Sequence, residues 1–399
     1  MKVYIITKAP FPNGMAATNR IKCYARAIHE GGVECEVLIY GGSEIKEMVV
    51  RNTEQDGNYC GFRFHYIGGS PVLSKNRPIR LLTQAKRLFQ TELYLRKTLR
   101  KGDVLFLFMG GNVETMLRFM AIARQKGAYC VRDLCELPYG TGVETENAIR
   151  LRKVTIEKQF PKLDGIISIS DALMNLARTY TLPECKHIKV PILVEFEQYA
   201  VANRSDEEDI PYIFHAGTLY QQKDGVLGMI EAYGMARQRL KKPIKYILTN
   251  YIEDSPHSME IHELIKKYNL QDAIEFVGFL YRDQIKEYLS KASLVISNRP
   301  KSKQDYYGFS TKVGEYLASG TPLITTNWGE AFNWLKDGES AYIIEPENTE
   351  ALANAIVRVF ENPDEARRIG ETGRTVCQKC FGYQNWSKPL IEFMNQLGH

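Results

Sequence analysis

The 399-residue sequence contains no run of about 18–20 consecutive apolar residues, the length that a membrane-spanning helix needs. Any role at a membrane is therefore expected to be peripheral. The first predicted strand begins at Lys2, and no basic segment followed by an apolar one is found ahead of it. We therefore expect no secretory signal, and we predict a cytoplasmic location.

Cysteine and metal-ligand patterns are also sparse. Eight cysteines in a chain of this length do not suggest a disulfide framework. Cys377 and Cys380 form a C-x-x-C pair, but no second pair follows at zinc-ribbon spacing. Two reduced thiols on a helix are the simpler interpretation, and a metal or redox role is the alternative. No D-x-D run stands at a predicted strand end, so neither a metal ion nor a resident cofactor is predicted.

Two further classes of protein lack support. The loop after the first strand, from Lys8 to Arg20, contains no G-x-G-x-x-G, which argues against a dinucleotide dehydrogenase. The net charge is only +5, and one segment alone is strongly basic, so a nucleic-acid partner is not predicted.

The sequence does contain an alternation of β-rich runs and amphipathic helical stretches, and this alternation occurs twice. In the first half the predicted strands are Lys2–Thr7, Glu34–Tyr40, Gly61–Ile67, Asp103–Met109, Ala128–Asp133 and Asp164–Ser168, with helices near 17–30, 79–100, 113–126, 146–160 and 171–180. In the second half they are Tyr212–Ala216, Lys245–Thr249, Ala273–Val277, Leu294–Ser297, Pro322–Thr326 and Ala341–Ile344, with helices near 225–239, 258–268, 283–290, 310–319, 349–361 and 364–378. Because a parallel crossover needs a helix-length connection, this order predicts parallel sheets.

The alternation breaks after Pro191, in an irregular stretch that is most acidic at Ser205–Asp209. We therefore predict two doubly wound α/β domains, at 1–195 and 211–384, joined by a linker at 196–210. Ligands bind outside the carboxyl ends of the strands in such sheets, so the loops at those ends are the expected sites.

Gly217 and Lys223 lie in the first such loop of the second half, before a predicted helix. Glycine lets the backbone turn closely, and a helix start offers unpaired N–H groups and the positive end of its dipole. Lys223 adds a full positive charge. This combination suits a diphosphate, whose charge needs most stabilisation when it departs as a leaving group. A plain strand–helix turn with an exposed lysine explains the segment equally well.

A second group of candidate residues runs from Tyr307 to Gly320, directly before a predicted strand. Ser310 is a candidate N-cap. By helical spacing, Val313, Tyr316 and Leu317 share an apolar face, while Lys312, Glu315 and Ser319 share a polar one. We expect Glu315 to lie over the loops at the sheet edge, where a carboxylate can accept hydrogen bonds from both hydroxyls of a ribose.

This spacing resembles the C-terminal half of the GT-B-fold glycosyltransferases, specifically the retaining group called glycosyltransferase family 4. That family carries two glutamates eight positions apart, in a run like E-G-F-G-x-x-x-x-E-A-M-A-x-G. Gly308, Phe309, Glu315 and the run Ala318–Gly320 match it. The resemblance covers nearly all of 211–380. It also includes Gly217 with Lys223, the turn Val277–Leu280, and Asp337 with Gly338.

The resemblance implies a GT-B fold: two doubly wound, Rossmann-like domains that face each other across a cleft. It implies that 211–384 binds a nucleoside diphosphate sugar, that 1–195 binds the acceptor, and that 385–399 packs back onto the first domain. The donor-binding residues implied are Gly14, Gly217, Thr218, Lys223, Gly278, Phe279, Leu280, Arg299, Tyr307, Gly308, Phe309, Ser310, Thr311, Lys312 and Glu315. Among them Lys223 contacts the diphosphate, Glu315 the ribose, and the Gly278–Leu280 turn the base.

One position departs from the family pattern. Tyr307 replaces the first glutamate of the pair, the one that usually touches the hydroxyls of the donor sugar. Tyrosine can form hydrogen bonds but carries no negative charge, so the family does not predict which sugar is bound here. Asp305, two residues away, is a possible substitute. Thr218 stands where family members often carry an arginine, which leaves Lys223 more of the electrostatic task.

Two loops of the first half resemble the acceptor side of the same family. In the loop Lys8–Arg20, Gly14 fits the glycine that approaches the donor phosphate, and Asn19 and Arg20 are candidate acceptor contacts. After the strand at 128–133, Arg132 and Asp133 match an Arg-Asp-Leu run. These two residues are candidate catalytic residues alongside Lys223, or they form a mutual buried ion pair that shapes the site. Glu136 is a further candidate acceptor contact, and an exposed first-turn position is the alternative for Arg20.

The segment 75–101 carries nine basic residues against one acid, Glu92. Its apolar positions form an approximate stripe, made of Leu81, Ala85, Leu88, Phe89 and Leu93. Such a helix can rest on an anionic membrane surface or beside a phosphate-bearing acceptor, and a merely solvated basic face is the alternative.

Together with the resemblance, these features predict a metal-independent hexosyl- or glycosyltransferase in the cytoplasm, either free or at the inner face of the membrane. It would transfer sugar from a nucleoside diphosphate sugar to a hydroxyl of a glycan or lipid-linked glycan, and the resemblance implies retention of configuration. A nucleotide-sugar epimerase and a non-catalytic glycosyltransferase-like binding subunit remain the alternatives.

Overall fold

A computed structural model describes residues 1–46, 50–108, 112–140, 144–199 and 210–398. The chain divides into two compact units. Unit 1 comprises Met1–Leu193 and Tyr383–His399, and unit 2 comprises Val194–Gly382. The predicted linker at 196–210 lies mostly outside the described residues, and so does its acidic run Ser205–Asp209.

Unit 1 is built on an eight-stranded sheet. Its strands and helices in chain order are β1 (Lys2–Thr7), α1 (Ala16–Glu30), β2 (Glu34–Ile39), β3 (Glu44–Ile45), β4 (Asp56–Tyr59), β5 (Phe62–Tyr66), β6 (Val72–Leu73), α2 (Arg77–Thr98), β7 (Val104–Leu107), α3 (Val113–Gln125), β8 (Tyr129–Leu134), α4 (Glu146–Gln159), β9 (Gly165–Ser168), α5 (Asp171–Tyr180) and β10 (Lys186–Lys189). The strand order is β10-β9-β8-β7-β1-β2-β5-β4, and all pairs are parallel except β4 with β5. The short strands β3 and β6 form a separate parallel pair.

The strand order of the unit 1 sheet indicates at which edge of the sheet a ligand is expected to bind. The chain builds outward from β1 to β2 and β5, then returns to the other side of β1 with β7. The reversal between β1 and β7 is a topological switch point, where the connections on either side diverge and leave a crevice at the carboxyl ends. The buried strands read as nearly continuous apolar runs because helices cover both faces of a parallel sheet.

Unit 2 contains a fully parallel six-stranded sheet. Its strands and helices are β11 (Tyr212–His215), α6 (Gln221–Asp224), α7 (Val226–Arg239), β12 (Lys245–Leu248), α8 (Ser258–Lys267), β13 (Ile274–Phe276), α9 (Arg282–Lys291), β14 (Leu294–Ser297), α10 (Lys303–Tyr307), α11 (Thr311–Ser319), β15 (Leu323–Thr326), β16 (Tyr342–Ile344), α12 (Thr349–Glu361) and α13 (Pro363–Val376). The order is β13-β12-β11-β14-β15-β16, with the switch point between β11 and β14. Its core gathers aliphatic and aromatic side chains that include Ile213, Tyr246 and Ile296.

The last helix, α14 (Ser387–Asn395), belongs to unit 1. Leu390 and Phe393 are buried in the core of unit 1, and Ser387 Oγ donates to Ala27 O of α1 at 2.6 Å. Tyr383, just before α14, donates its hydroxyl to Glu30 at the end of α1 at 2.9 Å. The C-terminal segment is therefore fastened to α1 by both apolar packing and hydrogen bonds.

Candidate functional site

The candidate site in unit 2 begins at Gly217, just after the carboxyl end of β11. Gly217 N–H donates to Thr249 Oγ1 at 2.9 Å, and Asn250 Nδ2 donates to Gly217 O at 2.5 Å. A Cβ atom at this position would collide with Lys312 Nζ and His215 Nε2 and would lie 3.0 Å from Asp224 Oδ2. Glycine is therefore favoured at this position because the polar side chains of Lys312, His215 and Asp224 approach its Cα closely.

Asp224, at the end of the short helix α6, is the centre of this charged cluster. Its Oδ2 accepts hydrogen bonds from Thr218 N at 2.9 Å and Thr218 Oγ1 at 2.7 Å. Its Oδ1 pairs with Lys312 Nζ and lies 3.5 Å from Arg299 Nη1. Burial alone raises the pKa of this carboxyl, but Lys312 and the hydrogen bonds hold its pKa well below the usual range. Asp224 was not among the predicted site residues; an acid one position after a candidate phosphate-binding lysine was the only signal.

Lys312 and Arg299 are engaged rather than solvated. Burial lowers the pKa of Lys312 although Asp224 raises it. Arg299 donates from Nε to Asp305 Oδ1 at 2.6 Å, and Ser302 Oγ donates to Asp305 Oδ2 at 2.6 Å. Asp305, suggested as a substitute for the missing glutamate, is buried and already holds Arg299.

The three members of the polar face of α11 lie in different environments. Lys312 pairs with Asp224, and Ser319 is buried with its Oγ donating to Tyr316 O at 2.7 Å. Glu315 lies half-buried on the same helix. The apolar face is as predicted, since Val313, Tyr316 and Leu317 are all buried.

His215 is the remaining member of this cluster. It is fully buried at the end of β11, and its Nδ1 lies 3.0 Å from Ile296 O. A carbonyl oxygen only accepts, so Nδ1 carries the proton and Nε2 offers a lone pair. Nε2 is buried and makes no hydrogen bond within the described ranges. Burial, and then Lys312, lower the pKa of His215 to about 4, so the ring is neutral at pH 7.

Lys223 lies on the exposed side of α6. Gly225, at a φ of +63°, ends α6 and separates it from α7, so Lys223 does not precede the longer helix directly. Its positive charge contributes to lowering the pKa of Lys312, although burial is the largest cause. In the part of the chain that the structure describes, Lys223 forms no ion pair, so its charge is available at the surface of the cluster.

The segment from Tyr307 to Thr311 leads into α11. Gly308 ends α10, and Phe309 is buried against Phe381 at a ring-centroid distance of 5.5 Å. Ser310 occupies the N-cap position of α11, but its side chain makes no capping hydrogen bond. Thr311 opens the helix, while Tyr307 is half-buried. The α11 helix is tied to the end of β11 because Ala216 N donates to the hydroxyl of buried Tyr316 at 2.8 Å.

The predicted base-binding turn lies on the other side of Gly217. Gly278 adopts a φ of +72°, and its carbonyl accepts from Asn250 N at 2.7 Å. Asn250 therefore links this turn to Gly217 through its backbone and its side chain. Phe279 is exposed and packs edge-to-face on Tyr281 at 5.4 Å, while Leu280 is buried.

In unit 1, Arg20 is buried and bound to Asp133. Arg20 Nη2 donates to Asp133 Oδ1 at 3.1 Å and to the Tyr24 hydroxyl at 2.5 Å, and Nη1 donates to Pro191 O at 2.6 Å. The alternative of an exposed first-turn arginine is therefore wrong. The alternative of a mutual Arg132–Asp133 ion pair is also wrong, because adjacent strand residues point to opposite faces of the sheet and Asp133 pairs with Arg20.

The remaining unit 1 candidates occupy separate places. Arg132 is buried on the other face of β8 with Nη1 against Gln159 Oε1, and burial lowers its pKa. Gly14 packs against Thr18, leaving no space for a Cβ atom. Asn19 is half-buried in the first turn of α1, and Glu136 is exposed after β8.

The basic helix α2 turns apolar side chains outward. The exposed apolar residues are Ile79, Leu81, Leu82, Phe89 and Leu93, with Leu82 73% exposed. The buried residues of α2 are Arg87, Thr91 and Leu95. The predicted stripe therefore lies largely on the exposed side. Among the described residues, no helix combines the length and apolar character needed to cross a membrane.

No three or more His, Cys, Asp and Glu side chains of the described residues are grouped as metal ligands. None of the eight cysteines, all of which the structure describes, forms a disulfide, and Cys377 lies buried with its Sγ 3.4 Å from Gly314 O. The C-x-x-C pair therefore forms no disulfide.

The sequence of unit 2 is similar to that of a known protein family. Residues 198–376, almost all of unit 2, match the family described as glycosyl transferases group 1. The MMP alpha-(1->4)-mannosyltransferase of Mycolicibacterium hassiacum is 25% identical over 58% of this chain and 53% of its own. The alpha-D-kanosaminyltransferase of Streptomyces kanamyceticus is 22% identical over 41% of this chain and 40% of its own. The chain thus spans about half the length, or less, of these curated relatives.

Solved structures match over the whole chain. Sucrose-phosphate synthase of Thermosynechococcus elongatus has a TM-score of 0.72 at 17% identity, covering 99% of this chain and 98% of that one. HepE of Anabaena, in complex with UDP, has a TM-score of 0.70 at 13% identity and covers all of both chains. The predicted GT-B fold and the resemblance to group 1 glycosyltransferases are confirmed.

Proposed function

We propose, from the match of unit 2 to group 1 glycosyltransferases, that this chain transfers a glycosyl unit from a nucleoside diphosphate sugar to a hydroxyl of an acceptor, with retention of configuration. The observation that carries the proposal is the charged cluster beside Gly217, at the switch point of the matched unit. Lys223, Lys312 and Arg299 outnumber the two carboxylates of the cluster, Asp224 and Asp305, which pair with Lys312 and Arg299. The excess positive charge suits a diphosphate.

Each part of the donor has a suitable partner in this arrangement. Lys223 projects its ammonium group from α6 without a carboxylate partner among the described residues, so it can contact the diphosphate oxygens directly. Glu315 lies half-buried on α11, in reach of a ribose bound at the same edge. The Gly278 turn and the exposed ring of Phe279 offer main-chain groups and a flat surface to the base.

Catalysis in this proposal depends on positioning and on stabilising the leaving diphosphate. Asp224 holds Lys312 and the backbone of Thr218 in fixed positions, so little reorganisation is needed as charge develops. The cationic side chains supply the neutralisation that a metal ion supplies in other glycosyltransferases. The proposed reaction therefore needs no metal and no resident cofactor, and it uses acceptor attack on the same face as the departing diphosphate.

The acceptor side is proposed to work at the cytoplasmic face of a membrane. Helix α2 exposes Leu82 and Phe89 among its basic residues, a combination that binds interfaces between anionic lipid and water. A glycan or lipid-linked glycan would then reach unit 1 from the membrane surface. Co-sedimentation with phosphatidylglycerol vesicles tests this: Leu82→Ser with Phe89→Ser should abolish binding, and binding by neither protein would refute it.

A donor screen tests the main proposal. The chain is heated with nucleoside diphosphate sugars of different bases and sugars, beside Lys223→Ala and the exposed control Lys241→Ala. We expect one donor class to stabilise the chain and the control but not Lys223→Ala, and that donor to be consumed only with an acceptor. Conversion of the donor alone would indicate an epimerase, and binding without turnover over a broad acceptor set would indicate a binding subunit.

A further inference from the structure

Three neighbouring strands of unit 2 place equivalent residues side by side. The strands β11, β12 and β13 are adjacent and parallel, and their last residues are in register. Two residues beyond the ends of these strands stand Gly217, Asn250 and Gly278. Asn250 follows the middle strand, so it lies between the loop that contains Gly217 and the turn that contains Gly278.

Asn250 forms hydrogen bonds to both of these neighbours. Its Nδ2 donates to Gly217 O at 2.5 Å, and its backbone N–H donates to Gly278 O at 2.7 Å. Because a carbonyl oxygen only accepts, the nitrogen of the side-chain amide is the atom that faces Gly217. The loop and the turn are therefore joined through a single residue, with one hydrogen bond on each side.

The backbone of Asn250 restricts which residue can make this connection. Its φ is +70°, in the left-handed region that Gly, Asn and Asp adopt most readily. Of these three residue types, only asparagine has a side-chain N–H that can donate to Gly217 O. Tyr251 follows directly, and its ring lies against Gly278, where a Cβ atom would stand 2.4 Å from Tyr251 Cζ. A shift of the Asn250 backbone therefore also moves the side chain that covers the turn.

We propose that Asn250 is a positioning residue that couples the binding of the base at the Gly278 turn to the binding of the diphosphate at the Gly217 loop. This inference rests on the proposed function, which assigns the two parts of the donor to these two segments. Because both segments are fixed to Asn250, a ligand that orders one of them also restricts the other. The second part of a nucleoside diphosphate then binds with a smaller loss of conformational entropy, and the effect is the same in both directions.

Hydrogen exchange of the full chain with inorganic diphosphate tests this coupling. In the parent chain, inorganic diphosphate should slow amide exchange in peptides covering 214–224, where it binds, and also in peptides covering 274–282. Asn250→Gly keeps the left-handed backbone but lacks the donor, and Thr249 Oγ1 still bonds to the N–H and the carbonyl of Gly217. Only the protection of 214–224 should therefore remain in this variant. Protection of both segments in the variant, or of 214–224 alone in the parent chain, would overturn the proposal.

A matched control separates coupling from a structural role. Asn269 is exposed in unit 2 and also has a left-handed φ, of +52°, so Asn269→Gly reproduces the backbone effect of Asn250→Gly on the unfolded chain. Asn269→Gly should keep the protection of both segments. A urea midpoint of Asn250→Gly far below that of Asn269→Gly, with both segments still protected by inorganic diphosphate, would make Asn250 a structural residue and reject the coupling.

Asn250→Asp provides the same test if Asn250→Gly does not fold. Aspartate tolerates the left-handed backbone and has nearly the same size, but it places a carboxylate oxygen, which cannot donate, against Gly217 O. Inorganic diphosphate should again protect 214–224 without protecting 274–282. Protection of both segments in Asn250→Asp would contradict the proposal in the same way.

The affinity for whole nucleoside diphosphates measures the size of the coupling. ADP, CDP, GDP and UDP are titrated in parallel. For those that bind the parent chain, affinity should fall about tenfold in Asn250→Gly, while affinity for inorganic diphosphate should fall less than about twofold. Equal losses for both ligands, or no loss for either, would reject this inference and leave the proposed function standing. If none of the four binds the parent chain, the proposed function fails, and this inference fails with it.

Discussion

Arg20 Nη2 lies 3.1 Å from Asp133 Oδ1, which joins helix α1 to the end of β8 across 113 residues of sequence. The side chains are 3% and 0% exposed, so this is a buried ion pair, and the Tyr24 hydroxyl donates to the same oxygen at 2.7 Å. The pair holds the first loop of unit 1 against the strand that carries Arg132. The pair therefore fixes the position of this loop beside the proposed acceptor site.

Asp133→Asn should destabilise unit 1 by about 3–5 kcal/mol, because it leaves the guanidinium of Arg20 buried without its counterion. Urea unfolding followed by intrinsic fluorescence measures the change. Glu157→Gln is the control, since its pair with Lys153 is exposed and should change stability by less than about 0.5 kcal/mol. A loss below about 1 kcal/mol in Asp133→Asn would show that the pair is not required.

Asp224→Asn should destabilise unit 2 by a similar amount, about 3–5 kcal/mol, because Lys312 loses the carboxylate with which it pairs, while Arg299 keeps Asp305. Adding Lys312→Met to the same chain removes the uncompensated cation. A double-mutant cycle should then give a coupling energy of about 0.5–3 kcal/mol between the two positions. Additive effects would mean that the two side chains do not depend on each other.

Lys223→Ala should reduce kcat/KM for the true donor and acceptor by roughly 100–1000-fold, the typical effect of losing one group that stabilises a leaving charge. Stability should not change, since the side chain is exposed. Lys241→Ala, equally exposed, serves as the matched control. Near-normal kcat/KM in Lys223→Ala would remove this lysine from the mechanism.

Glu315→Gln should weaken binding of the nucleoside diphosphate about 10–100-fold, because a charged acceptor of two ribose hydroxyl bonds becomes a neutral one. Calorimetric titration of the parent chain and the variant measures the difference, and Glu361→Gln, exposed at the end of α12, controls for general charge effects. Equal affinity in both chains would exclude the ribose role.

Lowering the pH should reduce the free energy of unfolding, because His215 is buried in its neutral form. The folded-state pKa is lowered to about 4, while the unfolded imidazole titrates near about 6.5. Between these values the unfolded chain binds a proton that the folded chain does not, so stability is complete above pH ~6.5 and falls as the pH drops towards ~4, by roughly 3 kcal/mol.

The His215→Gln variant provides the measurement. Urea unfolding at several pH values between ~4 and ~7 should show a shallower loss of stability in His215→Gln than in the parent chain. The exposed His262→Gln serves as the control and should keep the parent slope. Identical slopes in all three proteins would mean that His215 is protonated without penalty in the folded state.

The helices and strands with a clear hydrophobic periodicity could be predicted from the sequence. Every predicted strand and helix corresponds to an observed element with bounds within a few residues, because apolar runs of strand and helix length alternate in both halves. The omissions are short or polar elements. Strand β4 reads Asp-Gly-Asn-Tyr and is held by antiparallel pairing to β5, and α6, with only four residues, carries no periodic signal.

For the candidate site, the sequence could predict only which residues belong to it, from their type and their position along the chain. Gly217, Lys223 and Glu315 were selected because they stand near strand ends, and their proximity to one sheet edge follows from the parallel topology. The pairing of charges did not follow. A pair between Asp133 and its neighbour Arg132 was one of two alternatives, and strand alternation directs the two side chains to opposite faces of the sheet.

The sequence by itself determined the two α/β units, the order of their elements and the resemblance to a nucleotide-sugar enzyme, because each depends on local periodicity and on motif spacing. Tertiary structure alone decided that Asp224 holds Lys312, that His215 is buried and neutral, and that Arg87 lacks a counterion among the described residues. These facts depend on which distant side chains meet and on how much water burial removes. Neither quantity is written in the spacing of residues along the chain.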